Sequence, residues 1–147
     1  MLTVSAAGGI LIVLERGRQE GRRATVDLVV DQKRDAKLVA ARDWITKVKE
    51  NHGTNLAKHL ESPDSDEYKH ILYALNAYEF VAVGIKTKAF SEKTYKRLRC
   101  STFLDDWECF RGFVMEFRKK HNGPTLFQDS EWLYDRWKAD PLKLIEK

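Results

Sequence analysis

The fold is decided by residues 68–85, which read YKHILYALNAYEFVAVGI. Apolar residues recur in this stretch at intervals of three and four, the period of one face of an α-helix. Towards its end the stretch is apolar on nearly every side, which is typical of a helix buried within a protein. The sequence therefore predicts a central buried helix here. Its apolar positions are Tyr68, Ile71, Leu72, Leu75, Tyr78, Phe80, Val81, Val83 and Ile85.

Apolar residues at helical spacing also precede the central helix. They extend from residue 24 to residue 48, with charged residues on the other faces. The charged run DQKRD, residues 31–35, is either a junction between two helices or an exposed turn within one. The tripeptide NHG, residues 51–53, predicts a helix end because Gly53 suits the left-handed cap conformation. A short helix is predicted over residues 55–60.

Two more helices follow the central one. Ser91 predicts the N-cap of the first, which carries an apolar stripe. Pro124 then interrupts the chain, and Thr125 predicts the N-cap of a last helix that extends to Trp137. The alternation of apolar and polar residues that strands require is absent. We therefore predict an all-α protein, a single compact domain of five to seven helices. The stripe consists of Phe103, Leu104, Trp107, Phe110, Val114 and Phe117.

The composition restricts the classes of function. A length of 147 residues fits one domain, and 26 basic against 22 acidic residues give a modest net charge of +4. The two cysteines, Cys100 and Cys109, are too few for a disulfide framework and are expected to be buried thiols. The four histidines lack metal-ligand spacing, and no phosphate-binding glycine loop or nucleophile elbow is present. We therefore expect no enzyme activity, no cofactor and no metal.

The N-terminal segment, residues 1–14, carries no charge and reads MLTVSAAGGILIVL. It begins at Met1, ends at Leu14 and is followed by a basic run, whereas a membrane-spanning helix needs about 20 apolar residues. It is interpreted as a helix packed against the domain or a second copy, as a shortened membrane anchor, or as an interfacial segment. Residues 15–147 form the helical domain. The apolar-then-basic order would place that domain in the cytosol.

Polar residues within the central helix are the most informative ones. Asn76 and Glu79 lie three residues apart, so they share a helix face and predict a buried polar pair. Such a carboxylate needs an ionic partner; otherwise it is poised for a ligand or for catalysis. Asp105 and Asp106 are not expected to converge, because neighbouring residues on a helix point about 100° apart. The arginines expected to pair with Glu79 are Arg22, Arg23 and Arg42.

The segment from residue 86 to residue 99 is strongly basic, with six bases and one acid. On a helix that starts near Ser91, some of these bases share a face, while Tyr95 and Leu98 are expected to face the core. The basic face would bind phosphates of a nucleic acid or an acidic partner; alternatively, it is a solvated surface. The six candidate binding residues are Lys86, Lys88, Lys93, Lys96, Arg97 and Arg99.

Three stretches resemble a bacterial family that is described only as a domain of unknown function. They read RRATVDLVVDQKRD (residues 22–35), NAYEFVAVGIKTKAFSEKTYKRL (residues 76–98) and TLFQDSEWLYDRW (residues 125–137). Members of the family often carry an N-terminal membrane helix. The resemblance implies a helical domain on the cytosolic side and assigns no catalytic residue.

These observations together favour a non-enzymatic protein-interaction or regulatory module. We expect it in the bacterial cytoplasm, tethered to the inner face of the membrane or self-associating through residues 1–14. One alternative is a nucleic-acid-associated protein that uses the basic face. A further alternative is a phage or mobile-element inhibitor of a host defence complex.

Overall fold

The computed structural model describes residues 6–51 and 55–145, with side chains described from residue 11 onwards. Throughout these ranges the chain forms helices and connecting turns, and no strand. The prediction of an all-α domain with five to seven helices is confirmed. The helices are α1 (Ala6–Arg34), α2 (Ala36–Glu50), a 3₁₀-helix (Leu56–Glu61), α3 (Asp66–Lys86), α4 (Glu92–Lys120) and α5 (Gln128–Ala139).

The charged run DQKRD is a junction between two helices. Asp35 ends α1 and serves as the N-cap of α2, since its Oδ1 accepts hydrogen bonds from the backbone N–H groups of Lys37 and Leu38 at 3.0 and 3.1 Å. The other carboxylate oxygen accepts a hydrogen bond from the Tyr73 hydroxyl at 2.8 Å. The junction is thereby fixed to α3 as well as to α2.

The predicted cap at Ser91 is confirmed, and the predicted cap at Thr125 is wrong. Ser65 caps α3 and Ser91 caps α4, each through a side-chain oxygen that accepts a backbone N–H three residues later. Helix α5 begins only at Gln128, however, after Phe127 in the left-handed conformation with φ 57°. Thr125 instead lies in a turn, where its carbonyl accepts the backbone N–H of Gln128.

Helix α3 is central, with α2, α4 and α5 packed around it. Its apolar residues are buried along most of its length, as predicted. The prediction is wrong for Phe80 and Val83, which are 60% and 40% exposed, because none of the described helices covers these two side chains near the end of α3. The largest fully buried side chains elsewhere in the core are Tyr95, Phe103, Trp107, Phe110, Phe113 and Trp137.

The connection between α2 and α3 packs through a short helix. It is a 3₁₀-helix with buried Leu56 and Leu60, and it lies against α4. The predicted glycine cap at Gly53 lies outside the described residues. Cys100 and Cys109 are buried free thiols, as expected, and burial raises the pKa of the Cys109 thiol.

Candidate interaction site

The N-terminal half of α1 extends beyond the helical bundle. Every side chain from residue 11 to residue 20 is exposed, and burial begins at Gly21 and Thr25. The Thr25 hydroxyl accepts a hydrogen bond from the Ser91 backbone N–H at 2.8 Å and donates one to the Gly21 carbonyl at 2.7 Å, which fixes α1 to the start of α4. At 1.5 Å per residue, the exposed part from residue 11 to residue 20 is about 14 Å long.

Four consecutive apolar residues lie on this exposed part of α1. Leu11, Ile12, Val13 and Leu14 are each between 53% and 70% exposed. They point in four directions around the helix, because successive residues are rotated by about 100°. Packing of the N-terminal segment against the domain is therefore not observed for these residues. The first ten side chains of that segment lie outside the described ones. Contiguous exposed apolar residues are one feature by which interaction sites are recognised, so this part of α1 is the candidate site.

A groove of about 580 Å³ separates α1 from the turn between α3 and α4. On the α1 side, Gly17 and Gly21 lack the side chains that would fill it. On the other side, Gly84 allows Phe90 to lie against α3, since a Cβ at residue 84 would be only 2.1 Å from the Phe90 ring. The apolar walls of the groove are formed by Val13, Leu14, Ile85 and Phe90.

Positive charges surround this groove. Arg18 and Arg22 lie one turn apart on α1, and Lys88 and Lys93 line the opposite side. In the described part of the chain, Arg22, Lys88 and Lys93 form no ion pair, and Arg18 only approaches the exposed Glu15 at 3.9 Å.

Glu92 is the carboxylate among the described residues that line the groove, and it is bound to α5. Glu92 accepts hydrogen bonds from the Arg136 guanidinium at 2.7 and 3.1 Å and from the Trp137 indole N–H at 3.1 Å. The Arg136 hydrogen bonds lower the pKa of Glu92, and the Trp137 hydrogen bond adds to this effect. The groove therefore presents apolar walls and a net positive edge.

The basic segment is split between different environments. Lys86 forms an ion pair with Asp129 at 2.7 Å, and the Lys96 ammonium binds Asp140 at the end of α5. The Nε atom of Arg99 is buried. The six predicted binding residues therefore do not form one face.

Three of the six basic residues are exposed and form no ion pair with the described residues: Lys88, Lys93 and Arg97. Two of these, Lys88 and Lys93, are brought together at the groove with arginines of α1, which the sequence analysis did not include in the candidate site. The expectation that Leu98 faces the core is wrong, because half of its surface is exposed.

The predicted buried pair of Asn76 and Glu79 is also wrong. Asn76 is exposed. Glu79 is partly buried and, among the described residues, pairs with no arginine. Its carboxylate accepts hydrogen bonds from the backbone N–H of Asp129 at 3.2 Å, and from the backbone N–H and hydroxyl of Ser130 at 2.8 and 2.7 Å. A helix N-terminus offers unpaired N–H donors and a partial positive charge, which here take the place of the expected arginine. Glu79 thus caps α5 from α3.

The buried carboxylate of the core is Asp106, which the sequence analysis missed. It is 3% exposed, and its two oxygens accept hydrogen bonds from the Lys49 ammonium at 2.5 Å and the Tyr78 hydroxyl at 2.6 Å. Burial and the Asp106 charge raise the pKa of Tyr78 well above its ordinary value. Asp105 is exposed, so the neighbouring carboxylates do not converge, as expected. The network joins α2, α3 and α4 and is satisfied within the protein.

Among residues 6–51 and 55–145, no three His, Cys, Asp or Glu side chains are grouped so that they could hold a metal ion. Over the same ranges, no helix has both the length and the apolar character that crossing a membrane requires.

The described fold and the arrangement around α1 define a small helical domain with an exposed apolar helix end. The family model described as Domain of unknown function (DUF4760) matches residues 2–137, and the chain belongs to this family. The resemblance found in the sequence is thereby confirmed. No curated protein and no solved structure matches the chain.

Proposed function

We propose that the chain is a non-enzymatic interaction module that binds a protein partner through the exposed part of α1. The observation that carries this proposal is the run of apolar residues 11–14 on a helix end that extends beyond the bundle. Burial of apolar surface contributes roughly 25 cal/mol for each Å² removed from water, so a partner that covers this surface gains binding energy.

The residues next to this apolar surface support a protein as the partner. Glu15, Arg16, Arg18 and Glu20 follow it on α1, all exposed and of both signs. Protein interfaces commonly combine an apolar centre with such a polar rim. The interior carboxylates support a role without catalysis, because Asp106 and Glu79 are already held by hydrogen bonds. We propose a cytoplasmic location, which suits the free thiols of the core.

Nucleic-acid binding is the second candidate. It is supported by the exposed Lys88, Lys93 and Arg97, with Arg18 and Arg22 nearby on α1. It is weakened because Lys86 and Lys96 are engaged in ion pairs. Phosphate contacts would make binding fall steeply between roughly 50 and 200 mM salt, whereas binding through an apolar surface would change little.

The test is affinity capture from a bacterial lysate by the full chain, with and without nuclease. The double variant Ile12→Glu and Val13→Glu changes the proposed surface and retains good helix formers. The matched control is Leu144→Glu with Ile145→Glu, because these two apolar residues are also exposed but lie at the other end of the chain.

We expect the wild type and the control to retain a stoichiometric protein partner after nuclease treatment, and the α1 variant to lose it at least tenfold. Identical partners on the α1 variant and the wild type would contradict the proposal. Loss of all partners on nuclease treatment would favour the nucleic-acid alternative. Recovery in the membrane fraction that depends on residues 12 and 13 would favour a tether. The partner's identity would show whether a host defence complex is the target.

A further inference from the structure

We propose that the groove between α1 and the α3–α4 turn binds a single-chain anionic amphiphile, a molecule with one hydrocarbon chain and a carboxylate head, such as a fatty acid. The ligand proposed here is a small molecule, whereas the partner proposed above is a protein, and neither proposal depends on the other.

The size of the groove suits a small ligand. Its volume of about 580 Å³ lies within the range of roughly 300–1,000 Å³ that is typical of small-molecule sites. The space exists because Gly17 and Gly21, one turn apart on α1, have no side chains; a Cβ on Gly17 would meet no atom within 4 Å, and one on Gly21 would lie 3.8 Å from the Lys88 and Ala89 carbonyls of the turn. A protein side chain does not fill this space, and a hydrocarbon chain can do so.

The walls suit a hydrocarbon chain. Val13 and Leu14 form the α1 side, and Ile85 and Phe90 form the opposite side. Phe90 is held in place from behind, because its ring lies against the Cα of Gly84 and its edge meets the ring of Phe80 at 5.7 Å between centroids. The apolar floor is therefore formed by fixed side chains of the bundle together with the exposed helix.

The charges select an anionic head group. Arg18 and Arg22 approach the groove from α1, and Lys88 and Lys93 from the other side. Glu92, which also lines the groove, is neutralised by its hydrogen bonds to Arg136. A carboxylate at the edge would thus meet cations from both sides, which is the arrangement that Arg and Lys provide for carboxylates. A cationic head group would be repelled.

The experiment measures binding of dodecanoate to the full chain by calorimetry, below the concentration at which dodecanoate forms micelles. Three other probes separate the contributions of the hydrocarbon chain and the carboxylate head group. Dodecyltrimethylammonium has the hydrocarbon chain with a head group of opposite charge, dodecanol has the hydrocarbon chain without a charge, and acetate has the carboxylate without the long hydrocarbon chain. The variant Gly17→Leu fills the groove with a side chain that favours a helix, so it is expected to fold. The matched control is Gly112→Leu, because Gly112 is exposed on α4 and also has no atom near its Cβ position.

We expect saturable binding of dodecanoate at one site, at least tenfold weaker in Gly17→Leu and in Arg22→Gln with Lys93→Gln, and unchanged in Gly112→Leu. The other three probes are expected to bind at least tenfold more weakly than dodecanoate. The inference is overturned if dodecanoate does not bind, if dodecyltrimethylammonium or dodecanol binds equally well, if acetate binds as tightly, or if Gly17→Leu binds like the wild type. Because Val13 lines the groove and Ile12 does not, the single variant Ile12→Glu tests the protein partner separately; it leaves the groove walls Val13, Leu14, Ile85 and Phe90 in place, and its binding of dodecanoate is expected to match the wild type.

Discussion

Phe90 occupies the space that a side chain on Gly84 would need: a Cβ atom at residue 84 would lie 2.1 Å from Cδ2 of the Phe90 ring. The same two residues are joined by a hydrogen bond of 3.0 Å from the Phe90 backbone N–H to the Gly84 carbonyl. Phe90 also forms a wall of the groove between α1 and the α3–α4 turn. Because Gly84 has no side chain, Phe90 can occupy this position, and Gly84 thereby determines the shape of the groove.

Gly84→Ala is therefore expected to destabilise the protein. Glycine to alanine within a helix normally stabilises by about 1 kcal/mol, but here the added methyl group must displace a packed aromatic ring at a cost of about 1–3 kcal/mol. The free energy of unfolding, measured in urea, is expected to fall. Gly112→Ala is the matched control, and its free energy of unfolding is expected to rise. A gain in stability at both positions would show that Phe90 is not held where the structure places it.

The network around Asp106 is expected to be essential to the fold. Asp106→Ala leaves the buried Tyr78 hydroxyl and the partly buried Lys49 ammonium without their acceptor, and a buried donor left unpaired in this way costs about 1–3 kcal/mol. Asp105→Ala is the control, because the neighbouring carboxylate is exposed, and its effect is expected within about 0.5 kcal/mol. Equal effects of the two substitutions on chemical denaturation would contradict the described network.

Glu79 is expected to stabilise the start of α5. Glu79→Ala leaves the backbone N–H groups of Asp129 and Ser130 without their acceptor, and loss of a helix cap costs about 1 kcal/mol. Amide hydrogen exchange of residues 129 and 130 is expected to accelerate in this variant. In the control Asn76→Ala, on the exposed side of the same helix, their exchange rate is expected to stay unchanged. Unaltered exchange in Glu79→Ala would contradict the cap.

Glu92 is expected to contribute a pH-dependent part of the stability. The hydrogen bonds from Arg136 lower the pKa of Glu92 in the folded protein below its ordinary value of 4.5. The folded state then binds this proton less readily than the unfolded state, so the stabilisation is fully present above pH 4.5 and is lost as the pH falls through the lowered pKa. Glu92→Gln is expected to lose about 1–2 kcal/mol at pH 7.

The pH profile itself provides the control for Glu92. The difference in stability between wild type and Glu92→Gln should shrink as the pH falls below 4.5 and vanish once Glu92 is protonated in both states. Thermal unfolding between pH 7 and pH 3 measures this difference. A constant difference over the whole range would show that the charge of Glu92 is not the cause.

Much of the fold could be predicted because its signals are local. Helical periodicity and the serine cap at Ser91 depend on residues within one or two turns, and these predictions are confirmed. The cap of α5 could not be found in this way. The acceptor at the start of α5 is Glu79, which lies fifty residues earlier in the chain. The local sequence therefore points to Thr125 as the N-cap, whereas the distant Glu79 carboxylate caps the helix.

The site was harder to predict than the fold, again for a physical reason. Asp106 does have a local signal, since it lies three residues after Phe103 and four before Phe110 and therefore falls within the apolar stripe of α4. The distribution of the basic residues has no such local signal in the sequence. Whether Lys96 is free or bound depends on the end of α5, and whether Lys88 joins Arg22 depends on how α1 crosses the α3–α4 turn.

The central claim, that the exposed end of α1 binds a protein, is tested most directly by photo-crosslinking in bacterial cells. A photo-reactive amino acid is placed at residue 12 of α1 in one chain and at residue 144 in a second, since both positions are exposed. The account predicts a protein adduct of one defined mass from residue 12 and none from residue 144. The absence of any protein adduct at residue 12, or the same adduct from both positions, would contradict it.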